Sequence, residues 1–506
     1  MIKNLFSVYG VQIYSVAITI LFTPVLLSLV GADGFGLIGF FLVIQTVLQI
    51  LDGGISGSLS RQAAISSYSQ SCFNQFRRNI KIIQLILVGI CILIITTSLL
   101  MYRNELFSGW FNSGLAKTTV NHCVLLMIVI ICVKYIGLVA RSVIIGFEKH
   151  KAISTINLLI ATLRYPGAVL ILSYVENDVS LYFEYQLSVM IVELTLLFGC
   201  SRRYLNKITI HTELNSSSKI NSELSLRGMV QFSGVLWLLS LTWVLLSQID
   251  KVTLSSTISL SSFGIYTLAV TASGAMLTLG VPLNQLLMPR LTKLAQQNSK
   301  SDFTRLLTLA FYTYVSVFLS ITMLFGLAGE HLLYVWTGEL AASTSAYGYL
   351  ALLATGNFFA GLTNFAFLIS YSKNELRPYS RRYIVYGAIA IPCSAGMAYL
   401  YHEDGAAGFW LIQNALFFAI YAMWLIKKYL YRVTHFLAYL VLPIVLINYL
   451  MFELVSWTDL YKSDIRIENA FSLLLMISLS LIGNAVFYFK FIRTLMKKLN
   501  HECQDV

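Results

Sequence analysis

The sequence predicts an all-α integral membrane protein with about 14 transmembrane helices. Of its 506 residues, 57% are hydrophobic and only 11% are charged, whereas soluble domains are about 25% charged. The apolar residues fall into blocks of about 20, the length that a helix needs to cross the hydrocarbon core of a bilayer. The gaps between blocks are too short for a soluble catalytic domain, so soluble enzymes, disordered chains and nucleic-acid-binding proteins are excluded.

About 14 blocks meet this length, and each predicts one helix in chain order. Pro24, Pro282 and Pro392 fall inside the first, eighth and eleventh blocks, where proline predicts a kink because it removes a backbone donor. No small-residue cleavage site ends the first block, so we interpret it as a retained helix and not as a signal peptide. The blocks are 8–30, 35–58, 80–101, 122–144, 153–174, 180–200, 228–248, 262–285, 306–327, 346–370, 381–401, 407–426, 434–452 and 470–490.

The basic residues predict the orientation of these helices. With the N-terminus placed in the cytoplasm, 28 of the 35 Lys and Arg residues fall in cytoplasmic segments and only 5 in outer segments. Cytoplasmic loops carry an excess of Lys and Arg, so this distribution supports the chosen orientation. An even helix count then places both termini in the cytoplasm. The net charge of +12 therefore reflects topology and gives no reason to expect a nucleic-acid partner.

A short internal repeat predicts two lobes of six helices. Residues 35–37, Phe-Gly-Leu, begin helix 2, and residues 263–265, Phe-Gly-Ile, begin helix 8. Both helices end on an arginine, Arg61 or Arg290. Because six is even, the repeats are parallel and related by an axis along the membrane normal. The predicted parts are an N-lobe at 1–200 (helices 1–6), a cytoplasmic linker at 201–227, a C-lobe at 228–426 (helices 7–12), and helices 13 and 14 with a cytoplasmic tail at 427–506.

Ionisable residues inside the predicted helices are the first candidates for function, because charge within a bilayer is costly. Lys134 lies at the middle of helix 4, and Arg164 lies at the middle of helix 5 beside Pro166. Two cations at one depth on neighbouring helices could form an anion site. Alternatively, they could form a structural ion pair with Glu193 of helix 6. Both alternatives stay open, since a pair that exchanges partners could itself serve transport.

Two further charged positions lie near helix ends. Asp52, at the inner end of helix 2, could bind a proton or a cation, although we favour a salt bridge to Arg61. Asp250 and Lys251 follow helix 7 at the outer face, where they could act in gating or form a solvated surface pair. No histidine has metal-ligand spacing, and the sequence lacks a phosphate-binding loop and a nucleophile elbow. We therefore expect no cofactor, no metal site and no ATP hydrolysis.

Three segments resemble the bacterial polysaccharide flippases of the O-antigen translocase (Wzx) type. Residues 51–61, LDGGISGSLSR, are similar to the helix-2 signature of that family, although Gly53 stands where the signature has Leu. Residues 246–251, LSQIDK, with the following FGIY at 263–266, are similar to the same family, as is MPRL at 288–291. The order and spacing of these segments along the predicted helices carry the resemblance.

The resemblance implies the multidrug/oligosaccharidyl-lipid/polysaccharide (MOP) exporter superfamily, with two six-helix lobes in a V, as in MATE transporters, and helices 13 and 14 as additions. It implies a flippase in the bacterial inner membrane. The implied substrate is an undecaprenyl-diphosphate-linked oligosaccharide repeat unit of O-antigen lipopolysaccharide or another surface polysaccharide, moved from the cytoplasmic to the periplasmic leaflet by alternating access.

The resemblance also implies roles for the charged residues. The candidates for a cationic cavity that binds the diphosphate are Lys134, Arg164, Arg61 and Arg290. Coupling to a proton or sodium gradient would need no other cofactor, and the candidates for ion coupling or gating are Asp52, Glu193, Asp250 and Lys251. Candidate partners are the lipid-linked oligosaccharide, membrane lipid, and a polysaccharide polymerase with its chain-length proteins.

Two other functions were weighed against this one. A MATE-like drug or cation antiporter of the same fold should place acids in its cavity, whereas Lys134 and Arg164 are cations. A membrane-embedded polysaccharide polymerase or ligase should have a large outer loop, and no predicted outer loop is long enough.

Overall fold

The computed structural model describes residues 2–48, 56, 59–60, 62–63, 66, 70–206, 226–297, 299–430, 433–458 and 466–502. The predicted all-α class is confirmed, because these residues are almost entirely helical and form no β-sheet, only an isolated bridge between Asn112 and Ser259. Asp52 and Arg61 lie outside the described residues, as does most of the predicted linker at 201–227.

The first half of the chain begins with a helix that contains two predicted spans. Helix α1 covers predicted helix 1 and the described part of helix 2, with a break at Gly31, whose φ of 72° suits glycine because it has no Cβ. A π-helical turn at Leu163–Gly167 separates α4 from α5 inside predicted helix 5. The helices are α1 Ile2–Leu48, α2 Gln70–Arg103, α3 Lys117–Gly146, α4 His150–Thr162, α5 Ala168–Tyr174, α6 Val179–Asn206 and α7 Leu226–Thr257.

The second half also contains a helix that joins two predicted spans. Helix α11 contains helix 11 and most of helix 12, broken at His402, which has a φ of 52°. A second π-helical turn at Phe418–Ala422 connects α11 to α12. The helices are α8 Leu260–Gln296, α9 Lys300–Thr337, α10 Leu340–Ser372, α11 Leu376–Phe417, α12 Met423–Tyr429, α13 Val433–Ser456 and α14 Arg466–Glu502.

These helices form a multi-pass membrane protein. Within the described residues, 11 helical stretches are long and apolar enough to cross a membrane. Two of these stretches, Ile13–Val47 and Leu376–Tyr429, each take in a pair of predicted spans, and α7 takes in predicted helix 7. Every predicted span therefore lies in a described helix, apart from the inner end of helix 2 beyond Leu48.

The chain packs as two units, a first unit of residues 1–264 and a second unit of residues 265–506. In the first unit, α3 packs against α2 and α6, while α1 packs against α4 and α7. In the second unit, α9 packs against α10, α13 and α14, and α10 packs against α11. Helix α7 belongs to the first unit because of its packing on α1, whereas the repeat assigns it to the C-lobe. The lobe boundaries based on the repeat stay a prediction.

The core that positions the candidate site lies between α3, α4 and α6. Ile144 of α3, Ile156 of α4 and Leu197 of α6 belong to one buried apolar cluster. Because lipid tails are as apolar as these side chains, the cluster stabilises the fold through van der Waals packing between the helices and not through transfer out of water. The cluster therefore holds these three helices together beside the polar residues that the same helices carry.

The two Phe-Gly segments of the repeat contact each other within the first unit. A Cβ at Gly36 would overlap the carbonyl oxygen of Leu260, and a Cβ at Gly264 would overlap that of Ala32. The two contacts are related by the offset of the repeat, because Gly264 corresponds to Gly36 and Leu260 corresponds to Ala32 along the two segments. The glycines of the repeat thus permit a close helix crossing that any side chain would prevent.

Candidate functional site

Lys134 lines an open cavity of about 320 Å³ in the first unit, which we call the Lys134 cavity. Its Nζ donates a hydrogen bond to Oε1 of Gln45 on α1, at 3.2 Å. The side chain is exposed, and within the described part of the chain no carboxylate pairs with it. The polar and aromatic lining comes from three helices and consists of Gln45 of α1, Lys134 and Tyr135 of α3, and Ser240 and Trp243 of α7.

Glu193 of α6 holds two guanidinium groups, and we call Arg141, Arg164 and Glu193 the Glu193 cluster. Nη2 of Arg141 lies 2.8 Å from Oε1 of Glu193, and Nη2 of Arg164 lies 3.4 Å from Oε2. Glu193 is only 9% exposed, so its charge depends on these partners. The amide oxygen of Asn157 on α4 also accepts from Nη2 of Arg141, at 3.0 Å. The Glu193 cluster thus ties α3, α4, α6 and the π turn together.

The π turn explains the position of Arg164. Pro166 has no backbone N–H, and it lies within the π-helical turn Leu163–Gly167. Side chains of α6 donate to the carbonyl groups within the turn. The hydroxyl of Tyr185 donates to the carbonyl of Leu163, and Nε2 of Gln186 donates to that of Arg164, each at 2.9 Å. The backbone of Arg164 is therefore held against α6, the helix that carries Glu193.

The Lys134 cavity and the Glu193 cluster belong to one charged region. Lys134 and Arg141 are seven residues apart on α3, which places them on the same helix face about 10 Å apart along the axis. Lys134 lies within electrostatic range of the charges of Arg164, Glu193 and Arg141. Three cations and one anion leave an excess of two positive charges. A ligand with two negative charges would neutralise this excess.

The structure thus brings together three of the eight residues predicted from the sequence, namely Lys134, Arg164 and Glu193. The structural ion pair that we kept as an alternative exists for Arg164 and Glu193, whereas Lys134 stands apart from it. Arg141 is a functional candidate that was not predicted from the sequence, because its position near the end of the block at 122–144 placed it with the cytoplasmic residues. The spacing of seven residues from Lys134 is a signal that could have identified it.

Asp250 and Lys251 do not form a solvated surface pair, so that alternative is wrong. Helix α7 continues to Thr257, nine residues beyond the predicted end at 248, and therefore includes both residues. Asp250 is 1% exposed and Lys251 is 8% exposed. Nζ of Lys251 lies 3.1 Å from Oδ2 of Asp250 and donates to the carbonyl of Ser247 at 2.7 Å. A role of this buried pair in gating stays a prediction.

The remaining predicted residues lie elsewhere. Arg290 is an exposed residue near the end of α8 in the second unit, and within the described residues it forms no ion pair. Asp52 and Arg61 are outside the described residues, so their predicted roles stay predictions. Among the described residues there is also no group of three His, Cys, Asp or Glu side chains that could hold a metal ion.

Comparison with solved structures identifies the fold. A multidrug resistance MATE family transporter of the MOP superfamily, in an inward-facing conformation, matches with a TM-score of 0.63 and 11% identity over 83% of this chain and 97% of that chain. The lipid II flippase MurJ, in an inward closed conformation, matches with a TM-score of 0.65 and 12% identity over 97% of this chain and 100% of that chain. The Vibrio cholerae MATE transporter VcmN matches with a TM-score of 0.53 and 15% identity over 84% of this chain and 96% of that chain. The chain therefore has the fold of the MOP-superfamily membrane transporters.

The sequence comparison then identifies the family. The polysaccharide biosynthesis protein family matches residues 1–295, more than half of the chain, so this chain belongs to that family. The matched segment contains the whole charged region of the first unit. A search of curated proteins finds no match.

Proposed function

We propose that this chain is a flippase that moves an undecaprenyl-diphosphate-linked oligosaccharide from the cytoplasmic to the periplasmic leaflet of the bacterial inner membrane. One observation carries the proposal, namely the excess of two positive charges around Lys134, Arg141 and Arg164 in the first unit of a polysaccharide biosynthesis protein. Cations inside a membrane protein are costly and mark substrate or ion pathways. Surface polysaccharides such as O-antigen are the proposed products, and the proposed role is transport and not catalysis.

The charge balance suits the headgroup of such a lipid. A diphosphate carries negative charge that cannot enter hydrocarbon without compensation. Arginine binds phosphate oxygens through a planar fork of donors, while lysine acts as a compact point charge. Lys134, Arg141 and Arg164 offer both kinds of donor. A cationic drug would be repelled by the same three residues, which is why we place a drug antiporter second although MATE transporters share the fold.

Glu193 provides a route for coupling. Its carboxylate accepts from both Arg141 and Arg164. A diphosphate that binds these guanidinium groups must compete with Glu193 for them. When the diphosphate takes these guanidinium groups, the carboxylate of Glu193 loses its partners and would bind the cation that moves with the gradient. We propose this exchange of partners as the coupling step, with both termini in the cytoplasm and a polymerase receiving the product on the outer face.

Complementation tests the proposal. The chain is expressed in a flippase-null strain that makes a defined lipid-linked repeat unit, and surface polysaccharide is measured. Restored polysaccharide supports the flippase. Drug resistance without polysaccharide would overturn it in favour of the antiporter, and absence of both activities with normal protein in the membrane would reject both.

The variants Lys134→Ala and Arg164→Ala test the site in the same strain. Each removes one cation, and loss of a charge-assisted hydrogen bond of about 1.5–3 kcal/mol should reduce transport about tenfold or more. The matched control is Lys117→Ala, since Lys117 is an exposed residue at the start of the same helix α3. Wild-type polysaccharide in both site variants, with equal protein in the membrane, would contradict the proposed anion site.

A further inference from the structure

The Lys134 cavity contains more than a cation. Trp243 of α7 contributes an indole ring that is 39% exposed, and Tyr135 of α3 contributes a phenol. Ser240 of α7 adds a hydroxyl group, and Gln45 of α1 adds an amide. Because Gln45 uses its Oε1 to accept from Lys134, its NH₂ group is left to donate, and no partner for that group occurs within the described part of the chain. Cations bind a diphosphate, and an indole ring would add nothing to that binding.

These groups are the ones that recognise a sugar ring. One face of a pyranose presents C–H groups, which pack on an aromatic side chain that has an apolar body. Its hydroxyl groups donate and accept hydrogen bonds, and serine and glutamine side chains do both. An indole, a phenol, a hydroxyl and an amide around one open cavity match that combination of apolar face and polar rim.

The size and position of the cavity limit what it can hold. At about 320 Å³, it lies at the lower end of the range of small-molecule sites, about 300–1,000 Å³. This volume suits one or two sugar rings but is too small for a long polyprenyl chain. Lys134 lines the same cavity, so a sugar bound here lies beside the cation that we propose for the diphosphate.

We infer that the Lys134 cavity is the subsite for the sugar that is bonded to the diphosphate, and that Trp243 determines the preference for it by packing against its ring. This inference rests on the proposed function and extends it from the headgroup charge to the glycan. Substrate discrimination then depends on α7, while the phosphate is held by residues of α3 and of the π turn.

Binding measurements on purified protein in lipid nanodiscs test the inference. The probes are undecaprenyl diphosphate and the same lipid with one N-acetylhexosamine attached. The wild-type protein should bind the sugar-bearing lipid more tightly. Trp243→Ala should lower that affinity about tenfold, which corresponds to about 1.4 kcal/mol, because it removes the aromatic face that packs against the sugar ring. The same variant should leave binding of the sugar-free lipid unchanged, and Trp243→Phe should retain part of the preference.

The controls separate this inference from the proposed function. Trp424→Ala removes an exposed tryptophan of the second unit and should change neither affinity. Lys134→Ala should weaken both lipids. If wild-type protein binds neither lipid, the proposed function fails. Three results would overturn the sugar subsite: equal binding of both lipids by the wild-type protein, an unchanged preference for the sugar-bearing lipid in Trp243→Ala, or an equal loss of affinity for both lipids in that variant. In each case the flippase proposal is still decided by the complementation test.

Discussion

Among the described residues, the buried side chains that carry charge all lie in the first unit, namely Glu193, Asp250 and Lys251, whereas the buried polar side chains of the second unit are all neutral. In the first unit, Arg141 and Arg164 share the carboxylate of Glu193. In the second unit, Asn357 donates to the carbonyl of Ser273 and accepts from Nε1 of Trp410, both at 3.0 Å. Both arrangements connect neighbouring helices. Only the first leaves charge that a ligand could neutralise.

The two arrangements differ in their roles. Buried charge is a cost that function requires, whereas a neutral hydrogen-bond network contributes to stability. A neutral amide satisfies its donors and acceptors within the protein and holds helices together at little cost. A charge at the middle of a membrane helix costs about 2.5–3.5 kcal/mol even on the insertion scales, which give lower values than simulations do. The predicted spans of the second unit carry no Asp, Glu, Lys or Arg at their middle. We therefore expect changes in the Glu193 cluster to alter transport and changes in the second-unit network to alter stability.

The largest effect on transport is expected from Arg141→Ala. This change removes the shorter of the two ion pairs of Glu193, at 2.8 Å, and halves the excess positive charge. It also removes a charge-assisted contact to the diphosphate worth about 1.5–3 kcal/mol, so surface polysaccharide per molecule of membrane protein should fall about tenfold or more. Arg141→Lys keeps the charge but loses the planar fork and should recover part of the activity. Equal polysaccharide from Arg141→Ala and wild type would show that the charged network has no role in transport.

Glu193→Gln is expected to raise the affinity for the lipid diphosphate, a change that is smaller than the loss expected from Arg141→Ala and opposite in direction. The amide keeps the size of the carboxylate but removes its charge, so it competes less with a diphosphate for Arg141 and Arg164. Affinity for undecaprenyl diphosphate in nanodiscs should rise about threefold or more, while transport slows because release is slower. Unchanged affinity would refute the proposed exchange of partners. Since the substitution also removes the carboxylate that would bind the coupling cation, the response of transport to the ion gradient should disappear with it.

The smallest effect on transport is expected from Asn357→Ala in the second unit. Asn357 is 4% exposed and Trp410 is 6% exposed, so the change leaves the indole N–H of Trp410 buried without its acceptor. Such a loss costs about 1–3 kcal/mol of stability. The apparent melting temperature in detergent should fall, while transport per folded molecule stays at the wild-type value.

A matched change on α11, the helix that carries Trp410, completes this test. Asn414 donates to the carbonyl of Trp410 within its own helix, at 2.8 Å, and Asn414→Ala should lower the melting temperature less because it disconnects no second helix. Transport lost by Asn357→Ala at normal stability would contradict the division between a functional first unit and a structural second unit.

The sequence allowed much of the fold to be predicted. The apolar blocks and the basic loops predicted the spans, and Lys134, Arg164 and Glu193 stood out because each is an ionisable residue within an apolar block. Arg141 did not stand out, since it lies near the end of its block among other basic residues. The end of helix 7 was placed nine residues too early, and this error made the buried pair of Asp250 and Lys251 look like a surface feature.

The position of each span is a local property, because the free energy of membrane insertion is summed over about 20 consecutive residues. For that reason the sequence alone was enough to establish a multi-pass helical protein and the charges at the middle of its spans, Lys134, Arg164 and Glu193. The partners of those charges are not local. Arg141 and Glu193 are 52 residues apart in the chain. Gly36 and Leu260, which contact each other, come from near the beginning and near the end of the sequence of the first unit. Such pairs depend on how the helices pack, so only the folded protein could show that Glu193 holds two arginines while Lys134 faces an open cavity.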